Sequence, residues 1–411
     1  MRSHLTSDKI VLFTAENFGF GPSSLAISVA QEFAMYEPIY RRWFAGSGVA
    51  LQLAKASRAF DLTIDWEPTK EESLPELVKA LGQRLKYSLS SVSPSAAKHA
   101  LHYGGPVGYI EPLLWYFNEV PKYLSKVSNF FVQEFDDTST HVRRLGMEGF
   151  PIFKTNWVTP KVAQRDSLII EAECFSANGD IVELTKAADS GRFTLINFGG
   201  VDNIFSTGSA YPTIMTDLII KALERRGIRR PLVCIGGGNA VAGLRNRFGH
   251  DRISWSGAVS PNWAKHLVRR SEDYFLSCGL SSLAEMVMLR TNGFGLPSQN
   301  YSQHLQIQAF RKIIKGWNSF DWSESSAGIT LKSHLPEADG VAQICSTVSR
   351  FINDERMHIE ISAVLDKYIA ARVVGCGEYH LLHPDMFSKV DGAIAIAQLM
   401  QSEIRSREST T

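Results

Sequence analysis

The stretch best suited to chemistry is residues 273–303, where a short apolar run leads into a turn of small residues that includes Gly279. A helix is predicted next, with Ser281 and Ser282 in its first turn and Glu285 about one turn further along. The unpaired N–H groups and the positive dipole end of a helix N-terminus attract anions. The pattern therefore predicts a nucleotide-diphosphate pocket, in which Glu285 reaches a ribose hydroxyl. The alternative is an ordinary strand-to-helix turn with a serine-rich helix start.

Two earlier apolar runs, residues 193–198 and 232–235, also end in glycine. The glycines are Gly199 and Gly200 after the first run, and Gly236 and Gly237 after the second. Glycine lets backbone approach a ligand closely, and open α/β sheets bind ligands at the carboxyl ends of their strands. Neither turn continues as GxGxxG with a later acid, and no GxxxxGK[ST] occurs, which argues against NAD, FAD and ATP.

In the first half of the chain, acids follow two predicted strands: Glu16 follows residues 10–14, and Glu111 follows residues 107–110. A carboxylate at the carboxyl edge of a sheet could act as a general base, and these two are the catalytic candidates. For Glu16 the structural alternative is a carboxylate that holds the following glycine-rich loop through N–H hydrogen bonds. For Glu111 the proline that follows it suggests a role in a turn.

The loop after Glu16 and the aromatic segment after Glu111 would form an acceptor site. Its predicted residues are Asn17, Phe18, Gly19, Phe20, Gly21 and Trp115. The aromatic rings could stack on a flat acceptor such as a nucleobase. Packing in the core is the commoner fate of large aromatic side chains and is the alternative here.

Strands and helices alternate through both halves, which predicts largely parallel sheets and an α/β fold with two doubly wound domains in tandem. A polar segment at residues 172–191 is the expected linker. The predicted domains are residues 1–180, which bind the acceptor, and residues 181–388, which bind the nucleotide. Residues 389–411 are predicted to form an amphipathic helix that crosses back to the N-terminal domain.

Composition narrows the function further. The 411 residues carry a net charge of +1, without the basic excess of a nucleic-acid binder. The five cysteines are isolated, so neither a disulfide framework nor a zinc site is indicated. No N-terminal signal pattern and no apolar run near the ~18 residues of a membrane span occur, so we expect a cytoplasmic protein without a membrane partner. A homodimer is compatible with the sequence.

The layout resembles that of the GT-B glycosyltransferases, which have two tandem Rossmann-like domains, a cleft between them and a final crossing helix. FGFGPSSLAISVA resembles the first strand-to-helix turn of the murein-precursor and antibiotic transferases. CGLSSLAE resembles their donor helix, whose acid binds the donor ribose, and LPSQNYSQHLQ resembles the loop that contacts the donor sugar. The resemblance implies a UDP-sugar as donor substrate, with no cofactor and no metal.

With the resemblance, the predicted donor site becomes a defined set of residues. The set is Gly199, Gly200, Gly236, Gly237, Ala258, Val259, Gly279, Leu280, Ser281, Ser282, Glu285, Gln299, Asn300 and Gln303. The diphosphate is expected on the N–H groups of residues 280–282, the base near residues 258–259, and the sugar near Gln299, Asn300 and Gln303.

TLINFGGVDN and GGPVGYIEPLLWYF most resemble the cytosylglucuronate synthase-related group, which implies inverting transfer of glucuronic acid to cytosine or a modified cytosine. The catalytic histidine of the wider family is absent near Gly19, and Ser277 replaces the histidine that opens the donor motif. A UDP-sugar epimerase or hydrolase and an inactive UDP-sugar-binding protein are therefore alternatives. Lys154, Lys265 and Arg192 are the candidates to hold a sugar carboxylate.

Overall fold

The structure, a computed structural model, describes residues 9–68, 84–103, 105–134, 137–158, 181–199, 210–249, 251–257, 259–326, 335–373, 380–381 and 392–409. The chain forms two compact units, residues 1–161 with 385–411, and residues 162–384. The predicted domain boundaries at residues 180 and 388 lie outside the described residues. None of the helices in the described ranges is long and apolar enough to span a membrane.

The first unit is built on a seven-stranded parallel sheet in the order β3-β2-β1-β4-β5-β6-β7. Its strands are β1 (Ile10–Ala15), β2 (Arg41–Gly46), β3 (Leu62–Asp65), β4 (Leu85–Ser91), β5 (Val107–Glu111), β6 (Asn129–Gln133) and β7 (Ile152–Thr155). Its first helices are α1 (Gly21–Tyr36), α2 (Gly48–Ser57), α3 (Pro94–His102) and α4 (Thr138–Arg144). The order of the strands reverses between β1 and β4, and ligands bind at such switch points in open sheets.

The central strands of this sheet are buried between helices, and most of the residues of β1 are apolar. All six residues of β1 are buried, as a strand covered by helices on each face requires. Helix α1 packs on β1 and β4, and α3 packs on β4 and β5. A core cluster around Tyr109 and Phe130 joins β5, β6 and α3.

The final helix of the chain, α13 (Gly392–Glu408), belongs to the first unit and packs along α1. Its buried residues include Ile396, Met400 and Ile404. Hydrogen bonds from Gln401 and Arg405 to the Glu37 carboxylate, at 2.9 and 2.8 Å, fix the helix at the end of α1.

The second unit has a five-stranded parallel sheet in the order β10-β9-β8-β11-β12, which also reverses beside its first strand. Its strands are β8 (Thr194–Asn197), β9 (Leu232–Ile235), β10 (Ile253–Gly257), β11 (Asp273–Ser277) and β12 (Gly293–Leu296). A short antiparallel pair joins β13 (Ile314–Lys315) and β14 (His380–Leu381). Helices α5 to α12 span Ile181–Ser190, Ala210–Arg225, Gly238–Phe248, Pro261–Arg270, Leu280–Met288, Tyr301–Ile313, Glu337–Asn353 and Glu355–Val373.

The two tandem Rossmann-like domains predicted from the sequence are confirmed, but one detail differs. The expected linker at residues 172–191 is wrong in its second part, because residues 181–190 form helix α5. Its Leu184 is buried, and α5 packs on β10 and α8. The polar side chains that suggested a linker therefore lie on one side of an amphipathic helix.

Candidate functional site

The carboxyl edge of the second sheet brings together the glycines predicted to bind the donor. Gly199 follows β8 with φ of +61°, a conformation that favours glycine. Its carbonyl accepts a hydrogen bond from the Gly237 N–H at 2.9 Å, and its own N–H donates to the Asn197 side chain at 2.9 Å. The Gly236 N–H donates to the Gly257 carbonyl at 3.1 Å. Gly200 and Ala258 lie outside the described residues.

The helix N-termini at this edge fall into two kinds. Helices α8 and α10 have side-chain caps: Ser260 accepts from the Trp263 N–H at 3.2 Å, and Asn300 accepts from the Gln303 N–H at 2.9 Å. Helix α7 instead follows Gly237 and α9 follows Gly279, and neither has a side-chain cap. The two uncapped helices follow β9 and β11, which flank β8 at the switch point. Their first-turn N–H groups are therefore suited to an anion.

Space around the first turn of α9 agrees with this assignment. A Cβ atom added to Gly279 would meet nothing within 4 Å among the described residues. Leu280, Ser281 and Ser282 are all half-buried, so the turn is accessible. The Ser282 hydroxyl accepts a weak bond from the Asn197 amide at 3.4 Å, which ties the first turn of α9 to the end of β8.

Glu285 lies in the second turn of α9, and its side chain is almost completely buried. Burial raises the pKa of this carboxyl group from 4.5 to about 7, and the positive charge of Lys265 opposes the rise. Lys265 lies on the neighbouring helix α8 and is itself buried. A carboxylate has two acceptor oxygens, so it can accept a hydrogen bond from each hydroxyl of a ribose.

The polar loop after β12 uses much of its hydrogen-bonding capacity within the protein. Gln299 donates from its side-chain amide to the Ser277 hydroxyl at 2.7 Å, and its N–H donates to the Gln303 side chain at 2.8 Å. Asn300 caps α10. The side-chain oxygen atoms of Asn300 and Gln303 thus accept hydrogen bonds at the start of α10. That these residues face a sugar stays a prediction. Val259 is buried just after β10.

In the first unit, Glu16 follows β1 at the switch point, and its N–H donates to the Ser91 carbonyl at 3.0 Å. Burial raises the pKa of the Glu16 carboxyl group, and the charge of Glu67 raises it further. The buried Ser93 hydroxyl lies close enough to lower the pKa, although it forms no hydrogen bond of ordinary geometry with a described residue. Glu67 accepts from the Ser47 hydroxyl at 2.6 Å. The position of Glu16 at the carboxyl edge of the sheet and its raised pKa suit a general base.

Glu111 has a different environment, because both of its carboxylate oxygens are bonded within the protein. The Tyr109 hydroxyl donates to it at 3.1 Å, and the Leu113 N–H donates at 3.0 Å. The side chain is only 3% exposed. This arrangement favours the structural alternative, in which Glu111 closes the turn before Trp115.

The predicted acceptor residues come from two segments of the first unit, residues 17–21 and residue 115, and their contacts differ. The Asn17 side chain accepts from the Val49 N–H at 2.9 Å and thereby supports the start of α2. Gly19 has φ of +68°. The half-buried set comprises Phe18, Gly19, Phe20, Gly21 and Trp115. The Trp115 ring lies edge-on to Tyr116, with centroids 6.4 Å apart.

The structure also distinguishes the three candidate clamps for a sugar carboxylate. Lys154 donates to Ser139 at 2.7 Å in the first unit, and Arg192 is exposed. Lys265 alone is buried beside the predicted donor site. Sequence reasoning missed Ser91, Ser93 and Asn197, since serines and an asparagine at strand ends carry no distinctive spacing. No group of three or more His, Cys, Asp or Glu suited to a metal occurs among the described residues.

This geometry is that of a GT-B fold, and comparison with solved structures agrees. Arabidopsis thaliana UGT89C1 is similar over 96% of this chain and 99% of its own, with 12% identity and a TM-score of 0.52. Medicago truncatula UGT71G1, complexed with UDP-glucose, is similar over 98% and 100%, with 10% identity and a TM-score of 0.51. A putative UDP-N-acetylglucosamine 2-epimerase from Listeria monocytogenes is similar over 98% and 97%, with 13% identity and a TM-score of 0.50. Neither a protein-family model nor a curated protein sequence matches the chain.

Proposed function

We propose that this protein is a glycosyltransferase that uses a UDP-sugar as donor. The observation that carries the proposal is the uncapped N-terminus of α9 at the switch point of the second sheet, with Glu285 buried one turn beyond it. The N-terminus supplies N–H groups and a positive dipole for a diphosphate, and Glu285 supplies an acceptor for ribose hydroxyls. Fold similarity to UGT71G1 complexed with UDP-glucose supports the same ligand class.

The donor would lie in the second unit. Its diphosphate would accept from the N–H groups of residues 280–282, and its base would meet the backbone near residues 258–259. Gly199, Gly237 and Gly279 would allow the backbone to approach the phosphates closely. As the sugar leaves, negative charge grows on the diphosphate, and fixed N–H groups stabilise that charge without a metal ion.

The acceptor would bind in the first unit, at the loop of residues 16–21 and the segment of residues 111–115. Glu16 is the better candidate for the general base, because burial raises its pKa although the Asn17 N–H and the Ser93 hydroxyl act to lower it, whereas both carboxylate oxygens of Glu111 are bonded within the protein. An inverting transfer then needs one proton transfer, from the acceptor to Glu16, as the acceptor attacks the anomeric carbon.

For the substrates, we propose glucuronic acid as the sugar and cytosine or a modified cytosine as the acceptor. The support is the resemblance of TLINFGGVDN and GGPVGYIEPLLWYF to the cytosylglucuronate synthase-related group. Of the three candidates to bind a sugar carboxylate, Lys265 is the one that lies buried beside the predicted donor site. Trp115 offers a ring for stacking on a planar base.

A second candidate function is a UDP-sugar epimerase or hydrolase, which the fold similarity to the putative Listeria monocytogenes epimerase favours. Such an enzyme would use the same donor pocket without an acceptor. An inactive UDP-sugar-binding protein is the third case, since the usual catalytic histidine is absent near Gly19.

One experiment separates these cases. UDP binding is measured first, by calorimetry. UDP release from UDP-glucuronic acid and from UDP-glucose is then followed with and without a panel of acceptors. The panel includes cytosine and 5-hydroxymethylcytosine. Release that depends on an acceptor supports the glycosyltransferase. UDP release or conversion of the UDP-sugar without an acceptor supports the second candidate, and UDP binding without turnover supports the third. Absence of UDP binding contradicts all three.

A further inference from the structure

Helix α2 of the first unit is capped by a residue from another loop. Ser47 precedes the helix in extended backbone, but its side chain accepts no hydrogen bond from the first turn. The Ser47 hydroxyl donates instead to the Glu67 carboxylate at 2.6 Å. The acceptor that caps α2 is the Asn17 side chain, which accepts from the Val49 N–H at 2.9 Å. The start of α2 therefore joins the segment that follows β1 to the segment that follows β3.

The loop after β1 fits tightly against the start of α2. Gly48 has φ of +50°, and a Cβ atom added to it would overlap the Asn17 side-chain amide. The residue before Asn17 is Glu16, whose N–H donates to the Ser91 carbonyl at 3.0 Å. Glu16 and Asn17 are thus bonded to the end of β4 and to the start of α2, and these two bonds fix the backbone that carries the Glu16 carboxyl group.

The segment that follows β3 is also fixed at this edge of the sheet. The Trp66 ring is buried in a cluster that includes Leu12 of β1. The Pro68 carbonyl oxygen lies 3.2 Å from Nε2 of His99, which belongs to α3. Glu67 lies between these two fixed neighbours, so its carboxylate group has a defined position at the carboxyl edge of the sheet.

The negative charge of Glu67 acts on the Glu16 carboxyl group. Burial raises the pKa of Glu16 most, and the charge of Glu67 raises it further. Glu16 also faces Tyr109 of β5, whose pKa is raised by burial and by the charges of Glu111 and Glu16. The ionisable groups around Glu16 thus include Glu67 after β3, and Tyr109 and Glu111 on β5, with His99 of α3 beside the segment after β3.

We propose that Glu67 is a positioning residue for proton transfer in the first unit: it holds the start of α2 beside Glu16 through Ser47, and its negative charge makes Glu16 a stronger base. This role rests on the proposed function, in which Glu16 takes the acceptor proton. Glu67 itself neither contacts the acceptor nor takes the proton. Two carboxyl groups at one edge also repel an anionic acceptor, which agrees with an uncharged planar base.

The test separates the charge of Glu67 from its hydrogen bond. Glu67→Gln removes the charge but keeps an oxygen that can accept from the Ser47 hydroxyl. Asp65→Asn is the matched control, because it removes an exposed charge at the end of β3. The pKa of Glu16 is measured by NMR of full-length protein labelled at the glutamate carboxyl groups, with the signal assigned from Glu16→Gln. We expect a fall of at least about half a pH unit in Glu67→Gln and no change in Asp65→Asn.

The same change is expected in the pH profile of kcat. In Glu67→Gln the acidic limb of the profile should move to lower pH, and turnover above that limb should fall about twofold to fivefold, because Glu16 becomes a weaker base. UDP affinity should stay that of the wild type. A merely structural role for Glu67 would lower turnover or the unfolding temperature without moving this limb.

The hydrogen bond of Glu67 is tested through its partner. Ser47→Ala keeps both carboxyl groups and removes the bond, and it should lower turnover at least about threefold, because the start of α2 is held less firmly beside Glu16. Ser47→Thr restores a hydroxyl and should recover wild-type turnover. Wild-type turnover in Ser47→Ala would contradict this part of the role.

An unchanged Glu16 pKa in Glu67→Gln, or an equal fall in Asp65→Asn, would overturn the proposal. A fall seen by NMR without a moved limb in the kcat profile would remove Glu67 from the reaction. The NMR titration needs neither donor nor acceptor. Absence of sugar transfer would therefore count against the proposed function, whereas the comparison of Glu67→Gln with Asp65→Asn still tests whether Glu67 acts on Glu16.

Discussion

Glu285 and Lys265, on the adjacent helices α9 and α8, are each only 4% exposed, and the lysine charge acts on the glutamate carboxyl group. Two buried ionisable side chains of opposite sign are retained at a cost in desolvation, which hydrophobic residues would avoid. They lie beside the uncapped N-terminus of α9, where we propose that the nucleotide binds. The pair therefore gives the donor site its most specific tests.

Replacement of Glu285 should weaken UDP binding. Glu285→Ala removes a charged hydrogen-bond partner of the ribose, so we expect a loss of about 1–3 kcal/mol in the free energy of UDP binding, measured by calorimetry. Met288→Ala, at the exposed end of the same helix, is the control and should bind UDP like the wild type. Unchanged UDP affinity in a folded Glu285→Ala protein would refute the placement of the ribose.

The raised pKa of Glu285 predicts a pH dependence of stability. Between pH 4.5 and about 7 the folded protein holds a proton on Glu285 that the unfolded chain has lost, so this group stabilises the fold less as pH rises. Glu285→Gln stays neutral and should therefore gain stability relative to the wild type from pH 5 to pH 8, by about 1–3 kcal/mol. Thermal unfolding of both proteins at the two pH values measures this difference. A pH-independent difference between them would show that Glu285 is ionised throughout.

Glu16 is expected to act in the chemical step and not in donor binding. Glu16→Gln should lower turnover about 10²-fold or more while UDP affinity stays intact, because the amide cannot take the acceptor proton. A smaller loss is expected if the acceptor is already nucleophilic, as a pyrimidine ring nitrogen can be. Steady-state kinetics with matched UDP titrations provide the measurement, and wild-type turnover in Glu16→Gln would remove this residue from the mechanism.

For Glu111, unlike Glu16, we expect the change of the carboxyl group to an amide to leave turnover unchanged. In Glu111→Gln the amide oxygen can still accept from the Leu113 N–H, and the amide N–H₂ can donate to the Tyr109 hydroxyl, so stability and turnover should both remain near wild type. Glu111→Ala leaves two buried donors unpaired and should cost about 1–3 kcal/mol of stability. A large loss of turnover in a stable Glu111→Gln protein would restore Glu111 as a catalytic candidate.

Donor turnover is expected to be independent of divalent metal ions, since helix N–H groups can stabilise the leaving diphosphate. The acidic pair at residues 136–137 offers no support for a metal site, because Asp137 caps α4 by accepting from the Thr140 N–H at 3.2 Å. Turnover after EDTA treatment should match that of the untreated protein. Activity lost with EDTA and restored by a divalent ion would contradict this expectation.

The sequence by itself determined the fold class, because apolar runs of strand length alternate with amphipathic helices through both halves. It also located the glycine turns, since a glycine directly after an apolar run marks the carboxyl end of a strand. Strand β4 was not predicted: its residues include Ser88, Ser90 and Ser91, and the apolar signal is weak, yet all three serines are buried. A strand that pairs on both sides can bury hydroxyls that its sequence pattern would place in solvent.

Only the tertiary structure decided which polar groups meet. Glu16 and Ser91 are far apart in the chain, and the Glu16 N–H donates to the Ser91 carbonyl only because β4 pairs with β1. In the same way, the raised pKa of Glu285 depends on burial, which spacing along the chain cannot predict. Local patterns fix where strands and helices form, whereas burial, capping and pKa depend on neighbours that are distant in sequence.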